Sequence, residues 1–344
     1  MPGTLIAMKG FSVRTVDYHT GGEPFRIVTE VPPLKAATVA NKRVEAMNSS
    51  EVDGLRALLC SEPRGHADMY GGFVTEPDDP GAHFGVLFWH KDGFSTACGH
   101  GTIALGAWAI RSGKVAVDPS GQTDVVIDVP SGRVTARVTT DQSGEVTSVD
   151  FLNVASYVLH EQVTVPTSRG PINTLIAFGG AIYAHVDAAT VGLRVEPSDL
   201  TALIALAREI KAALADTPEA EHPSDPRLSG IYGVIFYEDH GTDATGNLLQ
   251  RNVTVFADGE VDRSPCGSGT CSRLAALAPQ VGEGKVLIHT SIVGSQFIGR
   301  IVGRETTEGR DCIIPVVTGN AFQTGSHTFV VDPADALTPG FILR

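Results

Sequence analysis

Alternating apolar and polar positions divide most of the chain into short strands. Residues 11–31 (FSVRTVDYHTGGEPFRIVTEV) alternate on both sides of a Gly-Gly pair, which predicts two strands joined by a turn. Residues 83–96 predict a strand that ends in a turn at Asp92-Gly93. The same pattern predicts further strands over residues 123–154, 230–239 and 251–265.

Helical spacing of apolar residues marks two longer segments. Residues 40–60 carry Val44 and Met47 among their helically spaced apolar positions and predict a helix. Residues 197–216 predict the clearest helix, and its apolar stripe consists of Leu200, Leu203, Ile204, Ala207, Ile210 and Leu214. The polar stretch 217–230 that follows predicts a surface loop. The chain is therefore predicted to be an α/β protein rich in strands.

Length, charge and cysteine content narrow the class of protein. The 344 residues are long for one core and favour two domains. The net charge of −13 and the lack of a Lys/Arg cluster argue against nucleic acid as a partner. Neither a run of about 18 apolar residues nor a signal peptide is found, so we expect a cytoplasmic protein that does not enter membranes. Five scattered cysteines fit reduced thiols.

One short motif occurs twice. ACGHGTIALGAWA (97–109) and PCGSGTCSRLAAL (265–277) both read Cys-Gly-x-Gly-Thr, both follow predicted strands, and both continue into a short apolar helix. Cys98 and Cys266 lie about half the chain apart. An internal duplication with one cysteine in each half is the simplest interpretation.

The repeated cysteines suggest acid–base chemistry. At a helix N-terminus, free N–H groups and the helix dipole favour negative charge, so the thiol pKa of Cys98 and Cys266 can fall by a unit or more. Two such termini facing each other would bind one small carboxylate, with a thiol on each side of the adjacent carbon. One thiol would remove a proton and the other would return one to the opposite face. Two nearby thiolates repel, so we expect one thiol and one thiolate at rest.

Other interpretations of these cysteines are weaker. Cys98, His100, Cys266 and Cys271 could supply four metal ligands, but no CxxC or HxxxH spacing supports this. A Cys-His hydrolase leaves the second cysteine unexplained, and the glycine turns match no phosphate-binding pattern. Cys60, Cys271 and Cys312 are expected to be buried core residues.

Several motifs resemble those of the proline racemase family, and the resemblance covers nearly the whole chain. They are HTGGEP (19–24), EPRGHADMYG (62–71), CGHGT (98–102), FGGAIYA (178–184), DRSPCGSGT (262–270) and the closing TGSHTFVVD. The resemblance implies two similar α/β halves of the diaminopimelate epimerase-like type, each with a sheet around a central helix. The active site is then expected in the cleft between a half comprising residues 1–150 plus 324–344 and a half comprising residues 151–323.

The resemblance also implies roles for particular residues. Cys98 and Cys266 are expected to be the catalytic thiols, and Asp262 to hold the ring nitrogen of a proline-type substrate. The substrate carboxylate is expected at the helix ends formed by Gly99, His100, Gly267 and Ser268. Tyr70 and Phe256 are expected to wall the ring. His19 and His66 are left without a role, because stabilising a turn is as good an explanation as contact with substrate.

The family contains more than one activity, and all proceed without a cofactor or metal. Cys266 favours racemisation or epimerisation of proline or a hydroxyproline, because dehydratases of trans-3-hydroxy-L-proline usually carry threonine there. The GGA at 179–181, the GSG after Cys266 and the polar Ser95 instead resemble the dehydratase branch. A binding protein for imino acids without catalytic activity is a lesser alternative. Family habit further implies a homodimer.

Overall fold

The computed structural model of the chain describes residues 11–281, 284–307 and 309–343. The expectation of no signal peptide concerns residues 1–10, which lie outside the described residues. Residue 344, the last of the segment 324–344 assigned to the first half, also lies outside them. In chain order the strands are β1 (Ser12–Thr20), β2 (Glu23–Val28), β3 (Gly71–Thr75), β4 (Phe84–His90), β5 (Gly93–Phe94), β6 (Gln122–Val129), β7 (Gly132–Thr140), β8 (Val146–Leu152), β9 (Tyr157–Val165), β10 (Ile172–Phe178), β11 (Ile182–Asp187), β12 (Ile231–Thr242), β13 (Leu248–Phe256), β14 (Glu260–Asp262), β15 (Leu287–Ser291), β16 (Gln296–Thr307), β17 (Arg310–Gly319) and β18 (Ala321–Val330). The α-helices are α1 (Val39–Asn48), α2 (Ser50–Cys60), α3 (Gly99–Arg111), α4 (Leu200–Leu214) and α5 (Gly267–Ala276).

The strands form two arrays with the same pairing pattern. The first runs β18-β1-β2-β3-β4-β6-β7-β8 and the second runs β9-β10-β11-β12-β13-β15-β16-β17. Neighbours are antiparallel except β2–β3 and β4–β6 in the first array and β11–β12 and β13–β15 in the second, which occupy the same places. The arrays join where β8 pairs with β17. This repetition parallels the repeated cysteine motif.

The C-terminal strand returns to the beginning of the chain. Strand β18 pairs with β1 over its whole length, from Ser12 opposite Val330 to Thr20 opposite Ala321. Without β18 the first array would lack the strand that corresponds to β9 in the second. The division into residues 1–150 plus 324–344 and residues 151–323 stays a prediction.

Helices α3 and α5 lie inside the two arrays, but their surroundings differ. Every residue of α3 except Arg111 is buried, and the helix packs among apolar side chains such as Phe84 and Phe151. Helix α5 is equally buried, yet its side chains bond polar partners: Thr270 bonds His289, and Arg273 bonds Gln250. The second half therefore has a polar lining around its central helix.

The helix predicted over residues 40–60 is in fact two helices. Thr38 and Ser49 accept hydrogen bonds from Asn41 N and Val52 N, so each caps a helix and the chain turns at Ser49. Val44 and Met47 were expected on the apolar face, but they are 39% and 52% exposed. The break at Ser49 explains the error, because the two helices do not share one face.

Most other sequence predictions agree with the described structure. The strands predicted around the Gly-Gly turn, the Asp92-Gly93 turn and the meander are present, and α4 occupies the predicted helix. The loop 217–230 contains two short 3₁₀ turns. All five cysteines are free and buried, including the three expected in the core. Among the described residues, no helix is both long and apolar enough to cross a membrane.

Candidate active site

The N-termini of α3 and α5 touch each other. A Cβ placed on Gly99 would lie 2.5 Å from Gly267 Cα, and one placed on Gly267 would lie 2.5 Å from Gly99 Cα. Only glycine at both positions lets the two helix ends approach this closely. Cys98 and Cys266 directly precede these glycines, so the fold brings together two residues from distant parts of the sequence.

Cys98 occupies the N-cap of α3. Its sulfur accepts a hydrogen bond from Gly101 N at 3.2 Å and lies 3.4 Å from His100 Nδ1. The residue is 4% exposed. The strand β5 and the following turn deliver the thiol to the helix end, where a backbone donor and an imidazole contact it.

Cys266 precedes α5 with a different local geometry. Its φ of +62° and ψ of 110° are rare for a residue with a side chain and indicate backbone strain held by the surrounding structure. Its N–H donates to Ser264 Oγ at 3.1 Å. Its sulfur lies 3.8 Å from the hydroxyl of Tyr183, which also bonds Ser268 at 2.7 Å. The two thiols therefore have different partners, His100 for one and Tyr183 for the other.

Burial, not the helix terminus, dominates the acidity of both thiols. Removal from water raises the pKa of Cys98 and of Cys266, and the backbone N–H groups offset this only in part. The expected lowering of the thiol pKa, and with it a resting thiolate, is therefore wrong for the protein without substrate. Asp262 raises the pKa of both thiols further, since a negative charge nearby opposes a second one.

A group of buried carboxyls lies next to the thiols. Asp262 Oδ1 accepts from Ser264 N at 2.8 Å and from Ser264 Oγ at 2.7 Å, and its Oδ2 lies 3.9 Å from His100 Nδ1. Burial raises the pKa of Asp262 to about 6, while burial lowers the pKa of His100 to about 3. Glu23 and Asp68 complete the group, and Arg263 bonds both of them. Burial and the charge of Asp262 raise the pKa of Glu23 as well, so a cationic ligand would favour ionisation of these carboxyls.

Aromatic rings line the other side of the site. Tyr70 contacts His100 at 4.9 Å and Phe256 at 5.6 Å between ring centroids, and Tyr232 stacks on Phe256 at 5.6 Å. The hydroxyl of Tyr70 bonds both Ser95 and the hydroxyl of Tyr232, the latter at 2.9 Å. Ser95 and Tyr232 also line a cavity of about 180 Å³. This wall thus combines apolar ring faces with three linked hydroxyls.

The four residues weighed as an alternative metal site do not form a cluster of ligand atoms in the described part of the chain, but another group does. Among the described residues, the atoms of His90, Asp92 and Glu260 lie within 4.8 Å of one another. The ammonium of Lys91 is 2.6 Å from Asp92 and 3.9 Å from Glu260, so it already supplies positive charge there. Burial raises the pKa of Glu260 to about 9, which favours a neutral carboxyl bonded to His90.

His19 and His66 each bond a nearby backbone N–H. His19 Nδ1 accepts from Gly22 N at 3.2 Å, within the turn between β1 and β2. His66 Nδ1 accepts from Asp68 N at 3.2 Å. Both contacts favour turn stabilisation over a catalytic role.

The structure brings the predicted site residues into one neighbourhood and adds three that sequence reasoning missed. Gly99 and Gly267 touch, His100 links Cys98 to Asp262, and Tyr70 contacts Phe256. The missed residues are Glu23, Tyr183 and Tyr232. Glu23 and Tyr183 stand inside the quoted motifs HTGGEP and FGGAIYA, whereas Tyr232 carries only the weak signal of a tyrosine in an apolar strand.

Comparison with known proteins identifies the family. The sequence model described as proline racemase matches residues 15–342. The chain belongs to the proline racemase family. A trans-3-hydroxy-L-proline dehydratase of Bacillus cereus is 44% identical over 333 residues, which cover 96% of this chain and 97% of that protein. A 3-hydroxyproline 2-epimerase of Burkholderia multivorans is 43% identical over 338 residues, or 97% of this chain and 98% of that protein.

A solved structure has the same architecture. It is a hydroxyproline epimerase from Agrobacterium vitis with bound trans-4-hydroxy-L-proline, with 29% identity, a TM-score of 0.87 and coverage of 96% of each chain. This likeness confirms the predicted α/β fold with a curved sheet around each central helix. Family members are isomerases and dehydratases, so the protein is an enzyme of this group.

Proposed function

We propose that the protein inverts the α-carbon of proline or a hydroxyproline, with Cys98 and Cys266 as the two acid–base groups. The observation that carries this proposal is the contact between Gly99 and Gly267, which holds two thiols at abutting helix N-termini. A one-base reaction needs only one of them. A reaction that exchanges protons on opposite faces of one carbon needs both.

The helix ends supply the anion site for the substrate carboxylate. The first N–H groups of a helix lack partners within the helix, and here two helices present them at the same point. As the α-proton leaves, negative charge spreads onto the carboxylate. Donors held in place at that position stabilise this charge by about 3 kcal/mol each.

The substrate itself supplies a positive charge that favours ionisation of a nearby thiol. A proline-type substrate enters as a zwitterion, and its ammonium would lie beside Asp262 and reduce the negative charge that opposes thiolate formation. One thiol then releases its proton to water, and its sulfur, now a thiolate, takes the α-proton. The other donates its S–H proton to the opposite face, which leaves the inverted product and exchanges the protonation of the two sulfurs.

Support for a hydroxylated ring comes from the aromatic wall. Hydrogen bonds link the hydroxyls of Ser95, Tyr70 and Tyr232 within the site. A hydroxyl on the substrate ring could bond to them, whereas the unsubstituted carbon ring of proline has no group that needs such partners. The two relatives described above are named for 3-hydroxyproline. We therefore place 3-hydroxyproline first among the candidate substrates.

Dehydration of trans-3-hydroxy-L-proline is the second candidate. It shares the first step: a thiolate removes the α-proton, the electron pair forms the C2=C3 bond, and the C3 hydroxyl leaves with a proton as water. The resulting enamine takes up a proton at C3 and loses one from nitrogen to give the imine. The Bacillus cereus relative carries the name of this activity, and the linked hydroxyls offer a proton donor near the ring. Cys266 remains the observation against it as the main activity.

We also propose that the enzyme acts as a homodimer in the cytoplasm on a free small molecule. The acidic charge and five free thiols support this setting. Light scattering coupled to gel filtration measures the mass, and a monomer of 36.1 kDa would contradict the dimer.

Incubation in heavy water tests the reaction. The protein is given L-proline, trans-4-hydroxy-L-proline or trans-3-hydroxy-L-proline, and α-proton exchange is followed by NMR alongside optical rotation. Inversion is expected with at least one of them, and a borohydride-trapped imine from the 3-hydroxy compound would instead identify the dehydratase. If none reacts but one raises the melting temperature, the binding-protein alternative replaces both. Cys98→Ser and Cys266→Ser serve as controls for contaminating activity.

A further inference from the structure

Glu23 is a fully buried carboxyl in which one oxygen accepts a hydrogen bond and the other has no partner among the described residues. It is 0% exposed and opens β2, directly after the turn formed by Gly21 and Gly22. Oε2 accepts a hydrogen bond from Arg263 N at 2.7 Å. Oε1 is buried and has no hydrogen-bond partner among the residues that the structure describes. Leaving such an acceptor unbonded is costly, which indicates that a donor from outside the chain occupies this place.

The position of Glu23 relates it to the reacting groups. Burial, followed by the charge of Asp262, raises the pKa of Glu23, and a charge on Glu23 in turn raises the pKa of the Cys98 thiol. The ammonium of a bound substrate would therefore favour ionisation of the Glu23 carboxyl. The hairpin that carries it packs on Arg263 and Ser264, since a Cβ on Gly21 would lie 3.1 Å from Ser264 Cβ. Glu23 thus comes from the first array but lies beside the Asp262–Ser264 segment of the second.

Asp68, the third carboxyl of the group, has a different situation. Its Oδ1 accepts from Val261 N at 3.1 Å and its Oδ2 accepts from Arg263 Nη2 at 2.8 Å. Both oxygens therefore serve bonds within the protein. Among the described residues of this group, Glu23 is the acidic side chain with a fully buried oxygen that lacks a hydrogen-bond partner.

We propose that Glu23 Oε1 accepts one of the two N–H bonds of the substrate's secondary ammonium, while Asp262 accepts the other. This inference rests on the proposed function, which makes the ligand a cyclic imino acid. Such a ring nitrogen carries two N–H donors when protonated, and Asp262 alone pairs with only one of them in good geometry. A second acceptor orients the ring about the nitrogen and so directs the α-hydrogen toward a sulfur.

Glu23→Gln separates this role from a structural one. A carboxylate accepts at both oxygens, but glutamine has one acceptor and one donor. If its oxygen keeps the bond from Arg263 N, its NH₂ group faces the substrate ammonium and repels it. Binding of L-proline and trans-3-hydroxy-L-proline, measured by calorimetry, is expected to weaken by about tenfold or more.

For a ligand that has no N–H group, we expect Glu23→Gln to have the opposite effect on affinity. Tetrahydrofuran-2-carboxylate has a ring oxygen in place of the nitrogen, so it repels Glu23 but accepts from the glutamine NH₂. Glu23→Gln should therefore bind it at least as well as the wild type does. Asp68→Asn is the matched control, because it removes a carboxylate from the same group. In this variant, the ratio of the imino-acid affinity to the tetrahydrofuran-2-carboxylate affinity should stay at the wild-type value.

The outcomes are distinct. Unchanged imino-acid affinity in Glu23→Gln overturns the inference, and so does an equal loss for both ligands in Glu23→Gln and Asp68→Asn, which indicates a structural role. If the wild type binds no imino acid at all, the proposed function fails first. Thermal unfolding of each variant establishes that the protein measured is folded.

Discussion

Replacing Gly99 by alanine tests the contact between the helix ends on which the proposed chemistry depends. The new Cβ would lie 2.5 Å from Gly267 Cα and 2.7 Å from both Gly267 C and Ser268 N, all of them backbone atoms. The first distance falls about 0.9 Å short of ordinary contact, so the two helix ends must separate by a similar amount in a packed interior.

Separation has two measurable costs. Overpacking of this kind lowers the free energy of unfolding by about 1–3 kcal/mol. A displacement of about 1 Å between reacting groups lowers the rate by about 10²-fold. We therefore expect kcat/KM of Gly99→Ala to fall by about 10²-fold in the α-proton exchange assay, at a temperature where circular dichroism shows a folded protein.

Gly106→Ala is the control within the same helix. Its Cβ would lie 2.6 Å from Ala136 Cβ and 3.2 Å from Val138 Cγ2, so it crowds the core to a similar degree but far from the thiols. It should lose stability and keep most of its activity. Wild-type kcat/KM in Gly99→Ala, or an equal loss in both variants, would refute the assignment of the helix ends to the active site.

Three further predictions follow from the site and its surroundings. Cys266→Ser should lower α-carbon inversion by about 10²-fold or more, and polarimetry that shows full inversion would remove its assigned role. The pKa of Asp262 is raised to about 6, so below that pH its carboxylate is protonated and no longer pairs with the substrate ammonium. We therefore expect kcat/KM to fall as pH drops through 6, and a flat profile between pH 5 and 7 would contradict this. Burial lowers the pKa of His289 from 6.5 to about 3, so between these values the unfolded chain binds a proton that the folded chain does not. The free energy of unfolding therefore falls as pH drops from 6.5 toward 3, by about 2–3 kcal/mol at pH 4.5. Urea unfolding of His289→Gln should show a weaker pH dependence than that of the wild type.

Local sequence patterns predicted the elements around the site well. Alternation on both sides of Gly21 and Gly22 predicts β1 and β2, and the cysteine motif correctly places Cys98 and Cys266 before helices. These features depend on residues close in sequence, such as turn glycines and apolar periodicity. The failure at Val44 and Met47 arose where a single cap at Ser49 changed the helix direction, which a count of apolar positions does not detect.

Charges at the site were less predictable, because they depend on burial. The helix N-terminus alone suggested lowered thiol pKa values, but removal from water has the larger effect and raises them. Glu23 likewise stands in a recognisable motif, yet its unbonded oxygen becomes evident only when Arg263, distant in sequence, occupies the other one.

Strand and helix periods, the glycine turns and the duplicated cysteine motif could be recognised from the order of residues, because each arises from interactions over a few positions. The meeting of Gly99 with Gly267, the pairing of β18 with β1 and the joined hydroxyls of Tyr70 and Tyr232 arise from contacts between segments far apart in the chain. Such contacts, and the burial that accompanies them, set the distances and pKa values of the site, so folding was needed to decide them.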